Sequence, residues 1–185
     1  MKPIALVVAL ATIAGPLVAA EKSTMNAIYE IPLKDIQGKP ATLAPYKGQV
    51  LLLVNVASKC GYTKQYPALE ALHEKYQARG LRLLGFPCND YGSQEPGTNE
   101  QIVQFCTATY HVTFPLFDKL HTKGPEQHPL YRWLTGSDSP FPGEVAWNFE
   151  KFLIAKDGTI AARFKSAVKP DAPELVTAIE KELAK

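Results

Sequence analysis

The chain has 185 residues, 46% of them hydrophobic, and a net charge of +2 from 20 Lys+Arg against 18 Asp+Glu. A chain of that length holds one domain, and the balance excludes disordered, collagen-like and coiled-coil classes. Without a basic surplus or an acidic run, no nucleic-acid partner and no charge-driven partner is expected.

Met1-Lys2-Pro3 is a short cationic start, followed by an apolar run from Ile4 to Ala14 and then Gly15-Pro16-Leu17-Val18-Ala19-Ala20. The run is too short to cross a hydrocarbon core, which takes about 20 residues. Small residues stand before the charged Glu21, so residues 1–20 read as a secretory signal cleaved after Ala20. Losing Lys2 takes the net charge from +2 to +1. Residues 21–185 are then one exported domain, periplasmic in a bacterial source, with no stable membrane insertion after cleavage. An uncleaved anchor is the alternative.

Ala27 to Leu33 roughly alternates apolar and polar, as a half-buried strand does; Gln37-Gly38-Lys39-Pro40 turns the chain and Ala41-Thr42-Leu43 returns it as a hairpin. Gln49 to Ala57 is a nearly continuous apolar run, the pattern of a strand covered on both faces. Pro67 to Gln77 carries Leu69, Leu72 and Tyr76 at helical spacing, with Glu70, His73, Glu74 and Gln77 largely on the other side, and Gly80 stops it. Leu81 to Phe86 is a second buried strand. Thr98-Asn99-Glu100-Gln101 has the form of a capping box that opens a helix with Ile102, Phe105 and Cys106 on one face. Phe114 to Phe117 is a short strand candidate, and Pro129 to Leu134 a short helix ended by Gly136. Lys156-Asp157-Gly158 joins two strands in an antiparallel hairpin, because Asp-Gly tolerates the positive φ such turns need. Asp171-Ala172-Pro173-Glu174 caps a last helix with Leu175, Ile179 and Leu183 as its core stripe. The order predicts an α/β fold, one mixed sheet flanked by helices, with an N-terminal β-hairpin.

Cys60 lies between a buried strand and a helix. Partial positive charge at a helix N-terminus, with Lys59 adjacent, is expected to acidify a thiol there, as a nucleophile needs; a buried structural cysteine is the other reading. Cys106 falls on an apolar helical face, where packing and chemistry are both open, and Cys88 reads as structural. Three cysteines is an odd count for disulfide bracing in an exported chain, so at least one thiol is free for chemistry. The histidines His73, His111, His121 and His128 form no C-x-x-C or H-x-x-x-H grouping, so neither a metal nor another cofactor is expected. Gln94 stands in a turn-rich stretch and Trp147-Asn148 follows Gly143-Glu144-Val145-Ala146; on composition alone a solvated Gln and a core Trp are the ordinary readings.

Three segments together are more specific. Val54-Asn55-Val56-Ala57-Ser58-Lys59-Cys60-Gly61-Tyr62-Thr63 resembles the nucleophile motif of the glutathione peroxidase family. Gly85-Phe86-Pro87-Cys88-Asn89-Asp90-Tyr91-Gly92-Ser93-Gln94-Glu95-Pro96-Gly97 resembles its second motif, although Asp90 stands where Gln is common, and Trp147-Asn148-Phe149 resembles its third. The likeness runs in order from about Ala27 to the last helix. It implies a thioredoxin-like fold and a thiol peroxidase in which Cys60 is the peroxidatic nucleophile, with Gln94, Trp147 and Asn148 as hydrogen-bond donors around it. Sulfur in place of the selenocysteine of many animal members implies slower chemistry with peroxide. Cys106 resembles the resolving cysteine of the two-cysteine, thioredoxin-using members. That implies a Cys60–Cys106 disulfide, local unwinding of the Cys106 helix, and a thioredoxin-like protein, or glutathione, as reductant. The short Gly136–Gly143 loop implies the monomeric branch. A disulfide oxidoreductase would need a second thiol where Thr63 stands; a peroxide sensor that passes its disulfide to a partner would use the same two cysteines and is the alternative function.

Overall fold

The computed structural model describes residues 27–185; the expected signal at residues 1–20 lies outside them. In chain order the elements are β1 (Leu33–Lys34), β2 (Pro40–Ala41), β3 (Val50–Val56), α1 (Tyr66–Tyr76), β4 (Leu81–Pro87), α2 (Asn99–Tyr110), α3 (Pro129–Thr135), β5 (Lys151–Ile154), β6 (Ile160–Phe164) and α4 (Pro173–Leu183). The main sheet runs β4-β3-β5-β6, with β3 parallel to β4 and antiparallel to β5, and β5 antiparallel to β6. This is a thioredoxin-like arrangement, with a separate two-stranded hairpin before it.

All seven residues of β3 are buried, as its unbroken apolar run requires. Its side chains alternate between two layers. Val50, Leu52, Val54 and Val56 pack with α1, α2 and α4, while Leu51 and Leu53 pack with α3 and Phe117. The capping box of α2 forms in full: the Thr98 hydroxyl accepts from the Gln101 amide and the Gln101 side chain accepts from the Thr98 amide. The last helix starts one residue later than its acidic cap suggests, with Ala172 at the N-cap and no side-chain hydrogen bond there. Leu175, Ile179 and Leu183 are its buried stripe. Among the described residues, no helix is long and apolar enough to cross a membrane.

Four local readings are corrected. Residues 27–30 are helical rather than extended: Ile28 and Tyr29 are both buried, which adjacent residues of a half-buried strand cannot be, and Pro32 lacks the N–H a ladder needs. The hairpin shrinks to two residues per arm, its turn held by Asp35, whose carboxylate accepts from the Gln37 and Lys39 amides. Phe114 to Phe117 makes only isolated bridges, Leu116 to Gly85 and Phe117 to Asp35. On α1, Glu70 and His73 are buried rather than solvated. Both oxygens of Glu70 accept from Thr113, one from its amide at 2.9 Å and one from its hydroxyl, and His73 meets Phe114 edge-on.

Gly85 explains how an irregular segment lies flat against β4. Its N–H donates to Pro115 and its carbonyl accepts from Phe117, while a Cβ at this position would stand 2.6 Å from a Leu116 methyl and 3.2 Å from the Phe114 ring. Gly85→Ala is expected to push the 114–117 segment off the sheet and destabilise the fold by about 1–3 kcal/mol, read as a lowered Tm or denaturant midpoint.

Candidate active site

β3 ends at Val56 and delivers Cys60 four residues on, in a turn closed by Thr63. The Thr63 hydroxyl donates to the Ala57 carbonyl at 2.8 Å and accepts from the Cys60 amide at 3.0 Å, and the Thr63 amide donates to the Cys60 carbonyl at 3.0 Å. A 3-10 turn over Thr63–Gln65 separates this corner from α1, so the amide that reaches the sulfur is that of Tyr62, at 3.4 Å, rather than one of α1 itself. Cys60 is 9% exposed, at the edge of the core rather than sealed in it. The Lys59 side chain is exposed, while its amide donates to the Gln94 carbonyl at 2.9 Å.

That backbone bond ties the Cys60 loop to the second motif. Gln94 follows Gly92 and Ser93, both with φ in the left-handed region (61° and 53°), a sharp reversal that brings it back toward Cys60. The Gln94 side-chain oxygen accepts from the Asn148 amide nitrogen at 3.0 Å, which leaves the amide hydrogens of Gln94 to donate elsewhere. Asn148 is fully buried and its own oxygen has no partner. Trp147, expected on composition to be a core residue, is instead 39% exposed.

The third motif is held by a residue that sequence reading passed over. Asn55, fully buried near the end of β3, donates through its side chain to the Trp147 carbonyl at 3.1 Å and accepts from the Glu150 amide at 3.0 Å. Its own carbonyl accepts from the Phe149 amide at 2.6 Å. Phe149 has φ of 65°, a conformation that costs a non-glycine residue on the order of 1–3 kcal/mol and persists only where neighbours impose it. Buried Glu150 completes the clamp by accepting from the Ala146 amide, with Arg163 paired to its other oxygen at 2.8 Å. The available signal was one amide side chain inside an otherwise apolar strand, since a buried polar group must find partners.

Gln65 and Lys151 were passed over as well. The buried Lys151 ammonium donates to the Gln65 side-chain oxygen at 2.6 Å and to the Val168 carbonyl at 2.5 Å, and burial lowers its pKa to about 8.

All three cysteines are free. Cys106 is fully buried on α2 and shares one core cluster with Cys60; burial pushes its thiol up to about 11, an effect the neighbouring Tyr66 hydroxyl partly offsets and the Glu95 carboxylate increases. Cys88 lies in the opposite layer, where burial pushes it up to about 12. Glu95 is buried at the Cys60 corner and burial raises its carboxyl; one oxygen accepts from the Ser58 hydroxyl at 3.1 Å and the other has no partner. A groove of about 480 Å³ opens there, lined by Ser58, Lys59, Glu95, Pro96, Ile102 and Phe105 among others.

Replacing Asn55 with the similarly sized Leu is expected to cost about 2–3 kcal/mol, because buried partners lose their hydrogen bonds, and to speed amide exchange at Phe149 and Glu150. Cys88 gives a pH signature. Its folded pKa of about 12 lies above the value of 9.0 for an unperturbed thiol, so its stabilisation is complete below about pH 9 and is lost as pH rises toward 12. Between about pH 9 and 11, the wild type should lose up to about 1.4 kcal/mol per pH unit more than Cys88→Val in denaturant unfolding.

The glutathione peroxidase family model matches residues 28–135. A hydroperoxy fatty acid reductase of Synechocystis sp. is 45% identical over 165 residues, covering 85% of this chain and 96% of that protein. The thioredoxin/glutathione peroxidase BtuE of Escherichia coli is 40% identical over 181 residues, covering 86% and 99%. The crystal structure of T. cruzi GPX1 superposes with a TM-score of 0.68 at 31% identity, covering 85% of this chain and 96% of that one. With the three motifs converging on one corner of a thioredoxin-like sheet and relatives matched along almost their whole length, the chain belongs to the glutathione peroxidase family.

Proposed function

We propose that the chain, a thiol peroxidase, works through Cys60 as nucleophile, Gln94, Trp147 and Asn148 as hydrogen-bond donors, and Cys106 as resolving thiol. The observation that carries this reading is the hydrogen bond from Asn148 to Gln94, between two loops that are each bonded to the strand or turn bearing Cys60.

The Cys60 thiolate attacks one oxygen of the hydroperoxide, the O–O bond breaks, and the departing alkoxide or hydroxide takes a proton to leave as alcohol or water. Cys60 is left as a sulfenic acid. Amide and indole hydrogens of Gln94, Asn148 and Trp147 stabilise the charge that develops on oxygen. The Cys106 thiol then displaces hydroxide from the sulfenic sulfur, water forms, and a Cys60–Cys106 disulfide results. A dithiol returns both sulfurs to thiols by exchange and is itself oxidised to a disulfide.

The burial of Cys106 sets the order of events. Closed in α2, with its pKa near 11, it is a poor nucleophile; exposed by local unwinding of α2, a thiol near its ordinary 9.0 has roughly 100-fold more thiolate at neutral pH. The groove lined by Ser58 and Lys59, next to Cys60 in the chain, and by Ile102 and Phe105 supports bulky organic hydroperoxides as well as hydrogen peroxide, in keeping with the hydroperoxy fatty acid reductase of Synechocystis. A thioredoxin-like donor is favoured over glutathione because a second thiol is available; the Escherichia coli relative carries both reductants in its name. The cationic and apolar start of the sequence supports export, and the short Gly136–Gly143 loop supports a monomer.

Peroxide-treated protein is expected to yield a Cys60–Cys106 linked peptide by mass spectrometry. Cys60→Ser should abolish peroxide consumption, while Cys106→Ser should keep one round of Cys60 oxidation and lose more than about ten-fold in steady turnover with thioredoxin. Undiminished thioredoxin-driven turnover of Cys106→Ser would remove Cys106 from the cycle.

A further inference from the structure

Beyond the Cys60 corner, a hydrogen-bonded chain runs from the Cys88 layer to Tyr91, whose ring packs against the indole of Trp147. Tyr91 is buried and its hydroxyl lies 2.8 Å from both the Val145 carbonyl and the Thr122 hydroxyl. A carbonyl only accepts, so the phenolic proton goes to Val145, and the single Thr122 hydroxyl proton is shared between the Tyr91 oxygen at 2.8 Å and an Asp90 carboxylate oxygen at 3.2 Å. Thr122 is fully buried and is held in turn by Asp90, one carboxylate oxygen of which accepts from the Thr122 amide at 2.7 Å and from the Cys88 thiol at 3.2 Å. The other Asp90 oxygen meets His121 Nδ1 at 2.6 Å. Burial alone would raise the Asp90 carboxyl, but the His121, Thr122 and Cys88 bonds outweigh it and hold the group below its ordinary range, as an acceptor.

Beyond the far end of this chain stands the indole. Val145 lies two residues before Trp147, and the Tyr91 ring packs tilted against the Trp147 ring with centroids 5.7 Å apart. At 39% exposed, Trp147 is not fixed by burial, and its backbone hold comes from Asn55. Among the described residues, Tyr91 is the aromatic neighbour packed on the indole.

We infer that Asp90 is a positioning residue for Trp147, acting through Thr122 and Tyr91 to fix the indole donor at the Cys60 corner. The inference rests on the donor role read above for Trp147. It also gives a task to the departure at Asp90 from the family's usual Gln: a carboxylate accepts at both oxygens, whereas a Gln amide must donate with one end.

The chain contains two tryptophans, so Trp133→Phe leaves Trp147 as the only indole reporter. In that background Asp90→Ala and Tyr91→Phe are each expected to raise the acrylamide quenching constant of Trp147 about two-fold and to slow oxidation by hydrogen peroxide, followed by stopped flow, about ten-fold. Reduction of the oxidised protein by dithiothreitol should stay within about two-fold of the parent, and Asp90→Asn, which keeps an acceptor for the Thr122 amide but has only one acceptor oxygen, should fall between the parent and Asp90→Ala in peroxide rate. Unchanged quenching and peroxide rate in folded Asp90→Ala would overturn the inference, as would an equal loss in both half-reactions. Should Asp90→Ala fail to fold, Tyr91→Phe, which removes one oxygen, decides by the same readouts. Trp147→Phe separates the two claims: if it leaves the peroxide rate intact, the donor role itself fails, whereas if it slows oxidation and the Asp90 and Tyr91 variants leave the quenching unmoved, only the positioning fails.

Discussion

The site depends on one buried amide. Asn55 is the polar residue of the central strand, and it spends its side-chain and backbone groups on the loop carrying Trp147, Asn148 and Phe149. Phe149 would not hold a left-handed backbone unaided, since the conformation is unfavourable for any side chain with a Cβ. Bonding that loop to the strand that also leads to Cys60 gives Cys60, Trp147 and Asn148 a common frame. Their relative placement then follows the hydrogen-bonded sheet rather than the loops alone.

Burial divides labour among the three thiols. Cys60 sits at the margin of the core with an amide on its sulfur, whereas Cys88 and Cys106 are fully enclosed and held as neutral thiols by the cost of ionising in an apolar layer. The two enclosed thiols differ in what surrounds them. Cys106 lies in the layer of Cys60, on a helix where the residues that follow it, Thr107, Ala108 and Thr109, are exposed. Cys88 lies across the sheet and donates to Asp90.

Much of the fold was legible because its signals are local. The unbroken run of β3 and β4, the capping box of α2, the Asp-Gly turn between β5 and β6 and the stripe of α4 each follow from short-range pattern and turn chemistry. Reading failed where a distant partner overrides the local pattern. Glu70 and His73 look like a solvated helical face until Thr113 and Phe114 cover them, and Phe114 to Phe117 looks like a strand until the absent side chain of Gly85 lets it lie flat without a ladder. Residues 27–30 alternate well enough for a half-buried strand, yet they are helical, and Ile28 and Tyr29 are both buried, which a strand with one solvated face does not allow.

For the site, sequence by itself determined the cast: a cysteine after a buried strand, a Gln in a glycine-rich turn, a Trp-Asn-Phe stretch and a second cysteine on a helix, in a pattern that resembles one family. It also determined the element order that brings the ends of β3 and β4 to one edge, because a parallel pair must be joined by a crossover. Tertiary structure decided what no spacing encodes. The Asn148–Gln94 bond spans 54 residues and the Asn55–Trp147 bond spans 92, and such pairings exist only once the sheet has assembled. The exposure of Trp147 and the enclosure of Cys106 were likewise settled there. Whether a side chain meets water depends on what the rest of the chain places over it, and that is a property of the folded whole.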